Sequence, residues 1–146
     1  MTVVDANYFL RYLVQPATTR DVAMHDVATT LFRRVAAGRE AFTTTDATIA
    51  EVVFILSSPR HYNLPRAETV ALLRPILQLP GCKLPHKRRC LRALDLWTTH
   101  PSLSFVDALN AMQARELGVP LASFDVDLIE EPGVTPWRPP SDETIV

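Results

Sequence analysis

Four carboxylates occupy positions that invite a chemical explanation. Asp5 directly follows the β-branched run Thr2-Val3-Val4, and Asp125 directly follows Pro120 to Phe124. Glu51 interrupts Ile49-Ala50-Glu51-Val52-Val53-Phe54-Ile55-Leu56, and Asp107 interrupts Phe105-Val106-Asp107-Ala108-Leu109. A carboxylate among apolar neighbours is costly to bury unless it is paired, protonated or bound to a cation. Clustered carboxylates are hard oxygen donors of the kind that hold Mg2+ or Mn2+, with phosphate and water completing the coordination. Asp127 adds a nearby acid, and Asn7 offers an amide able to orient a ligand or phosphate.

Each of these residues also has a plainer use. Thr48-x-x-Glu51 and Ser104-x-x-Asp107 both have the spacing of a capping box, in which the acid secures the first turn of its own helix. Asp5 and Asn7 suit a turn or cap after a strand, and Asp125 with Asp127 suits an Asx turn. The metal-site reading gains from coincidence: two acids at strand ends and two at helix starts, all expected on one rim of a sheet.

The elements that must position them follow from periodicity and punctuation. Thr2 to Val4 reads as a strand, and Thr19 to Ala37 as an amphipathic helix ended by Gly38. Ala41 to Thr45 is a second strand, followed by an apolar helix from Thr48 to Ser57 that closes before Pro59. A helix begins at Pro65 and runs to about Leu79, with Pro75 predicting a kink or an early end. Gly81 to Leu84 is a third short strand, and a helix follows from about His86 to Thr98. Ser104 opens a helix through Leu117 with Gly118 at its end, Pro120 to Phe124 is a strand, and a proline-rich tail starts near Pro132. Strands separated by helices predict an α/β domain with a mainly parallel central sheet flanked by helices, because parallel neighbours need crossover connections. Ligands bind such sheets outside the carboxyl ends of the strands.

At 146 residues and 47% hydrophobic composition, the chain suits a single globular domain with a substantial core. The formal net charge of −1 excludes a uniformly basic nucleic-acid coat. It conceals segregation: residues 81–99 carry 5 basic and 1 acidic side chains, and residues 100–146 carry 2 and 8. Neither a signal peptide nor a membrane-spanning run is visible, so the expected location is the cytoplasm. Cys82 and Cys90 are then reduced thiols; with His86 midway between them they could be imagined as soft metal ligands, but no fourth ligand follows at zinc-site spacing.

The motifs Val3-Val4-Asp5-Ala6-Asn7, Ala50-Glu51-Val52-Val53, Ser104-Phe105-Val106-Asp107-Ala108-Leu109-Asn110-Ala111 and Leu121-Ala122-Ser123-Phe124-Asp125-Val126-Asp127-Leu128 resemble those of PIN-domain nucleases. Among these the chain looks most like the VapC-type toxins of bacterial toxin–antitoxin pairs. The resemblance covers about residues 2–130, leaving 131–146 as a C-terminal tail of the same domain. Departures are mild: Ser123 and Leu128 stand where the final motif often has Thr and Phe, and Ala6 where Thr or Ser is common.

The resemblance implies an endoribonuclease in which Asp5, Glu51, Asp107 and Asp125 are the acidic metal-site residues, with Asp127 as an additional acid. It implies Mg2+ or Mn2+ as cofactor and RNA as substrate. A small antitoxin that covers the site is the expected partner, homodimerisation is expected, and the toxin would inhibit translation or growth. Such a site repels RNA until cations neutralise it, so a basic surface should help. Lys83, Lys87, Arg88, Arg89 and Arg92 are the candidates, against the plainer reading of a solvated helix face. Other classes fit less well. A receiver-like module lacks a lysine after a late strand, and an Asp-x-Asp phosphatase would carry its nucleophile on the first strand, where Asn7 occupies the second position. An inactive PIN-like scaffold that binds RNA or a protein is opposed by the presence of all four acids.

Overall fold

A computed structural model describes residues 1–141; residues 142–146, the end of the expected tail, lie outside the described residues. The architecture is α/β, with seven helices and a small parallel sheet among the described residues. The chain groups into two compact units, Met1–Leu91 and a second that begins at Arg92.

In the first unit, β1 (Thr2–Val3) pairs in parallel with β2 (Phe42–Thr43), Thr2 opposite Phe42 and Val3 opposite Thr43. The crossover between them is α1 (Ala6–Leu13) followed by α2 (Thr19–Ala36). The sequence reading did not anticipate α1. Its signal is short but physical: Ala6, Phe9 and Leu10 form a buried stripe at helical spacing, and the Asp5 side chain caps the first turn. The expected third strand, Gly81 to Leu84, contracts to a single parallel bridge between Phe42 and Cys82. Its backbone is still completing a turn, because the Cys82 amide donates to the Leu79 carbonyl at 2.9 Å. Phe42 nonetheless bonds on both sides, donating to Gly81 O at 2.8 Å and accepting from Lys83 N at 2.7 Å.

Gly81 also lies against α2. A Cβ there would stand 2.7 Å from Val35 Cγ1 and 3.0 Å from the Glu40 carbonyl oxygen. Overpacking of that kind costs about 1–3 kcal/mol, so Gly81→Ala is expected to lower the urea midpoint measurably. An unchanged midpoint would mean that Val35 and the Glu40 segment yield without cost.

After β2 come α3 (Asp46–Ser57), α4 (Arg66–Leu77) and α5 (Lys87–Thr99), the last of which spans the boundary between the units. Pro75 does not end α4 early. Only two residues follow it in the helix, and the carbonyl its missing N–H leaves unbonded belongs to Ala71, which is exposed to water. The core of this unit is aromatic at its centre: Phe32 lies 5.4 Å from Phe9, 5.6 Å from Phe42 and 4.8 Å from Tyr12, centroid to centroid. Ile49, Val52, Val53, Leu56, Leu73 and Leu77 are buried as well.

The second unit contains the rest of α5, α6 (Phe105–Leu117) and α7 (Val126–Ile129), with Trp97 edge-on to Phe105 at 6.5 Å. Gly118 ends α6 in the left-handed conformation at φ 65°, as its position predicts. The expected strand from Pro120 to Phe124 is corrected to an isolated parallel bridge between Leu121 and Pro136. Pro120 has no N–H to donate, and the Ser123 hydroxyl captures the Asp125 amide at 3.0 Å, so side-chain bonds compete with a ladder. Through that bridge the tail returns to the body of its unit, the Trp137 amide donating to Leu121 O at 2.8 Å.

Candidate metal-site carboxylates

Asp5 sits just beyond the carboxyl end of β1. Its Oδ1 accepts from the Asn7 amide at 3.1 Å and the Tyr8 amide at 3.4 Å, so it caps α1 with one oxygen while the residue as a whole is exposed. Asn7 is part of that first turn, the cap-like position the sequence allowed. The neighbouring strand ends in the same way: Thr44, buried, donates its hydroxyl to Val4 O at 2.7 Å, and Thr45 caps α3. Continuing the strand register puts Asp5 level with Thr45, so α1 and α3 start from one rim of the sheet.

Glu51 requires a correction. It is neither buried nor part of a capping box, because Thr45 accepts from the Thr48 amide and Glu51 lies in the second turn, about 7.5 Å along the axis from the start of α3. Helical period places Ile49, Val52, Val53 and Leu56 inward and puts Ala47, Glu51 and Phe54 on the exposed face. No burial cost therefore attends this acid.

In the second unit, Asp107 makes the capping box in full: Ser104 N donates to Asp107 Oδ2, and Asp107 N donates to Ser104 Oγ, both at 3.1 Å. Asp107 is half-exposed, so it too escapes the burial that its apolar neighbours implied. Asp125 caps α7 rather than ending a strand, its Oδ1 accepting from Asp127 N at 3.0 Å. Asp127 accepts from the Ser102 hydroxyl at 2.7 Å, which pins the start of α7 to the segment leading into α6. Sequence reasoning did not find Ser102, although its hydroxyl lies two residues before the cap Ser104. Ser104→Ala should cost about 1 kcal/mol of stability by removing the cap, read as a lower melting temperature. Cleavage by the folded fraction should stay near wild type; a complete loss would show that the capping box itself serves the chemistry.

As placed, no three His, Cys, Asp or Glu side chains among the described residues are grouped to hold a metal ion. The chemistry of the donors nevertheless fits a hard divalent cation. Asp5 and Glu51 are exposed, Asp107 and Asp125 half-exposed, and each of the three aspartates commits one named carboxylate oxygen to its helix cap. The Cys82, His86, Cys90 spacing does not build a soft site: both thiols are buried, whereas His86 is exposed in a left-handed conformation at φ 56°. Burial raises both thiols, and Cys90, with Asp46 and Cys82 adding negative charge nearby, is pushed up to about 12.

The basic segment also divides. Lys83, Arg88 and Arg92 are exposed, but Lys87 Nζ donates to Leu79 O at 3.1 Å and Arg89 is only 8% exposed. Arg89 is thereby corrected from a surface contact to a core-facing cation, as the helical period of α5 requires.

The family model described as the PIN domain matches residues 2–132. The chain belongs to the PIN domain family. PIN domains are generally metal-dependent nucleases that act on RNA, and the carboxylate-bearing starts of α1, α6 and α7 lie within the matched residues. No curated protein matches the chain. No helix among the described residues is long and apolar enough to cross a membrane.

Proposed function

We propose that this PIN domain is a divalent-cation-dependent endoribonuclease, and that it is the toxin of a toxin–antitoxin pair. The observation that carries the nuclease reading is Asp5. It is separated from a parallel strand by Val4 alone, is exposed, and spends one carboxylate oxygen on the cap of α1. Asp5, Glu51, Asp107 and Asp125 would hold Mg2+ or Mn2+, with Asp127 as an auxiliary acid tied to Ser102. A bound cation of this kind polarises phosphoryl oxygens and lowers the pKa of its water. The protein's own contribution is orientation: helix caps hold Asp5, Asp107 and Asp125 in single rotamers before RNA arrives. Asn7 orients a phosphate by its side-chain amide, and Lys83, Arg88 and Arg92 supply exposed cations for the RNA backbone.

The toxin assignment rests on the four motifs around these acids, and it carries a small antitoxin and a second copy of the chain as partners. Two buried free thiols accord with a reducing cytoplasm. Purified protein stripped with a chelator should lose cleavage of labelled RNA and regain it on addition of Mg2+ or Mn2+. Cleavage that persists in excess chelator would overturn the metal-dependent reading.

A further inference from the structure

On the exposed face of α3, one turn beyond Glu51, Phe54 is 63% exposed, and the ring of His61 stands edge-on to it at 6.1 Å. Tyr62, the next residue, is 47% exposed and lines a cleft of about 210 Å3 together with Asn7, Arg11 and Pro16. Arg60 is exposed on the same loop. Within the nine residues 54–62, Phe54 on the last turn of α3 and Arg60, His61 and Tyr62 on the turn that follows place three aromatic rings and a guanidinium in solvent, outside the apolar core.

The loop is held in one shape. His61 N and Asn63 N both donate to Ser58 O, at 2.9 and 3.0 Å, and Leu64 N donates to Leu56 O at 2.8 Å. Arg60 N reaches Ser58 Oγ at 3.3 Å, and Asn63 takes the left-handed conformation at φ 49° that the turn demands. Rings presented on a helix end and such a loop lose little freedom on binding, which favours a flat ligand that stacks. Unpaired nucleic-acid bases are flat, stack on Phe, Tyr and His, and bring a phosphate that suits Arg60.

We propose that Phe54, His61 and Tyr62 form a stacking platform for an unpaired nucleotide of the RNA substrate, with Arg60 on the adjacent phosphate. The proposal rests on the nuclease reading for its substrate class. Its location supports the choice of RNA over a protein partner: Glu51 shares the face of Phe54, and Asn7, two residues from Asp5, shares the cleft of Tyr62.

The test is binding of a fluorescein-labelled single-stranded RNA to the full chain, read by anisotropy in a chelator so that no strand is cut. Phe54→Ala and Tyr62→Ala should each weaken binding at least roughly fivefold with the salt slope unchanged, and Phe54→Trp should retain affinity. Arg60→Ala should instead flatten the slope by about 0.7. Wild-type affinity in both alanine variants would overturn the platform, as would a change of molar mass in Phe54→Ala by light scattering with RNA affinity intact, which would mark an interface between copies. The outcomes separate from those of the nuclease reading. Platform-dependent binding without any divalent-dependent cleavage would remove only the nuclease, and cleavage unaffected by both alanine variants would remove only the platform.

Discussion

Asp5→Asn is expected to reduce RNA cleavage at least a hundredfold while leaving the melting temperature within a degree or two of wild type. Asparagine caps helices about as well as aspartate, so the bonds from Asn7 N and Tyr8 N to the side-chain oxygen survive the change. What disappears is the negative charge, and with it, on the proposed reading, a hard ligand for a cation that would lower the phosphoryl-transfer barrier by several kcal/mol. Asp5→Ala makes the useful contrast, since it loses both the ligand and the cap and should also cost about 1 kcal/mol of stability. Cleavage of a labelled RNA in Mg2+, paired with a thermal melt of the same preparations, separates the two contributions. Asp5→Asn at wild-type cleavage would return Asp5 to the status of a helix cap and nothing more.

The largest loss of stability should come from Phe42→Ala. Phe42 has no exposed surface, its ring meets Phe9 at 5.9 Å and Phe32 at 5.6 Å, and its backbone bonds to Gly81 and Lys83. Truncating a buried phenylalanine costs about 3–5 kcal/mol, a large share of the roughly 5–15 kcal/mol that holds a typical domain together. For a chain of this length the melting temperature should fall by roughly 10 °C. Urea denaturation should show the same loss as a lower midpoint. Because Thr44 and Thr45 continue β2 to the rim that carries Asp5, cleavage should decline with the folded fraction. A stability loss below about 1 kcal/mol would mean that Phe9, Phe32 and Tyr12 collapse into the vacated space.

The long helices were legible to within a residue or two. In α2, α3, α5 and α6 an apolar stripe repeats over three turns or more, and Gly38, Pro59 and Gly118 punctuate the ends. Of the short elements, β1 and β2 were legible from their β-branched and apolar runs, and the others were not. The α1 helix has only eight residues and one buried stripe, so the aspartate before it reads equally as a strand end. The strands of Gly81–Leu84 and Pro120–Phe124 failed for a complementary reason: β-propensity measures fit to a half-buried surface, and in these segments turns and side-chain bonds take the backbone groups first. Glu51 shows the limit most clearly. Its apolar neighbours in sequence suggest a buried acid, yet a helix turns alternate neighbours to opposite faces, and Glu51 falls with Ala47 and Phe54 on the wet one.

Residue type and spacing alone therefore sufficed for the α/β class, the candidate acids and the family they resemble, because donor chemistry and long apolar periods are local properties of the chain. Which side of each helix faces water, and that Arg89 is buried while Phe54 on α3 and His61 and Tyr62 on the turn after it are exposed, were decided by tertiary structure. Those outcomes depend on contacts between residues far apart in sequence, such as Phe42 with Gly81 and Ser102 with Asp127, and no local pattern encodes the partner.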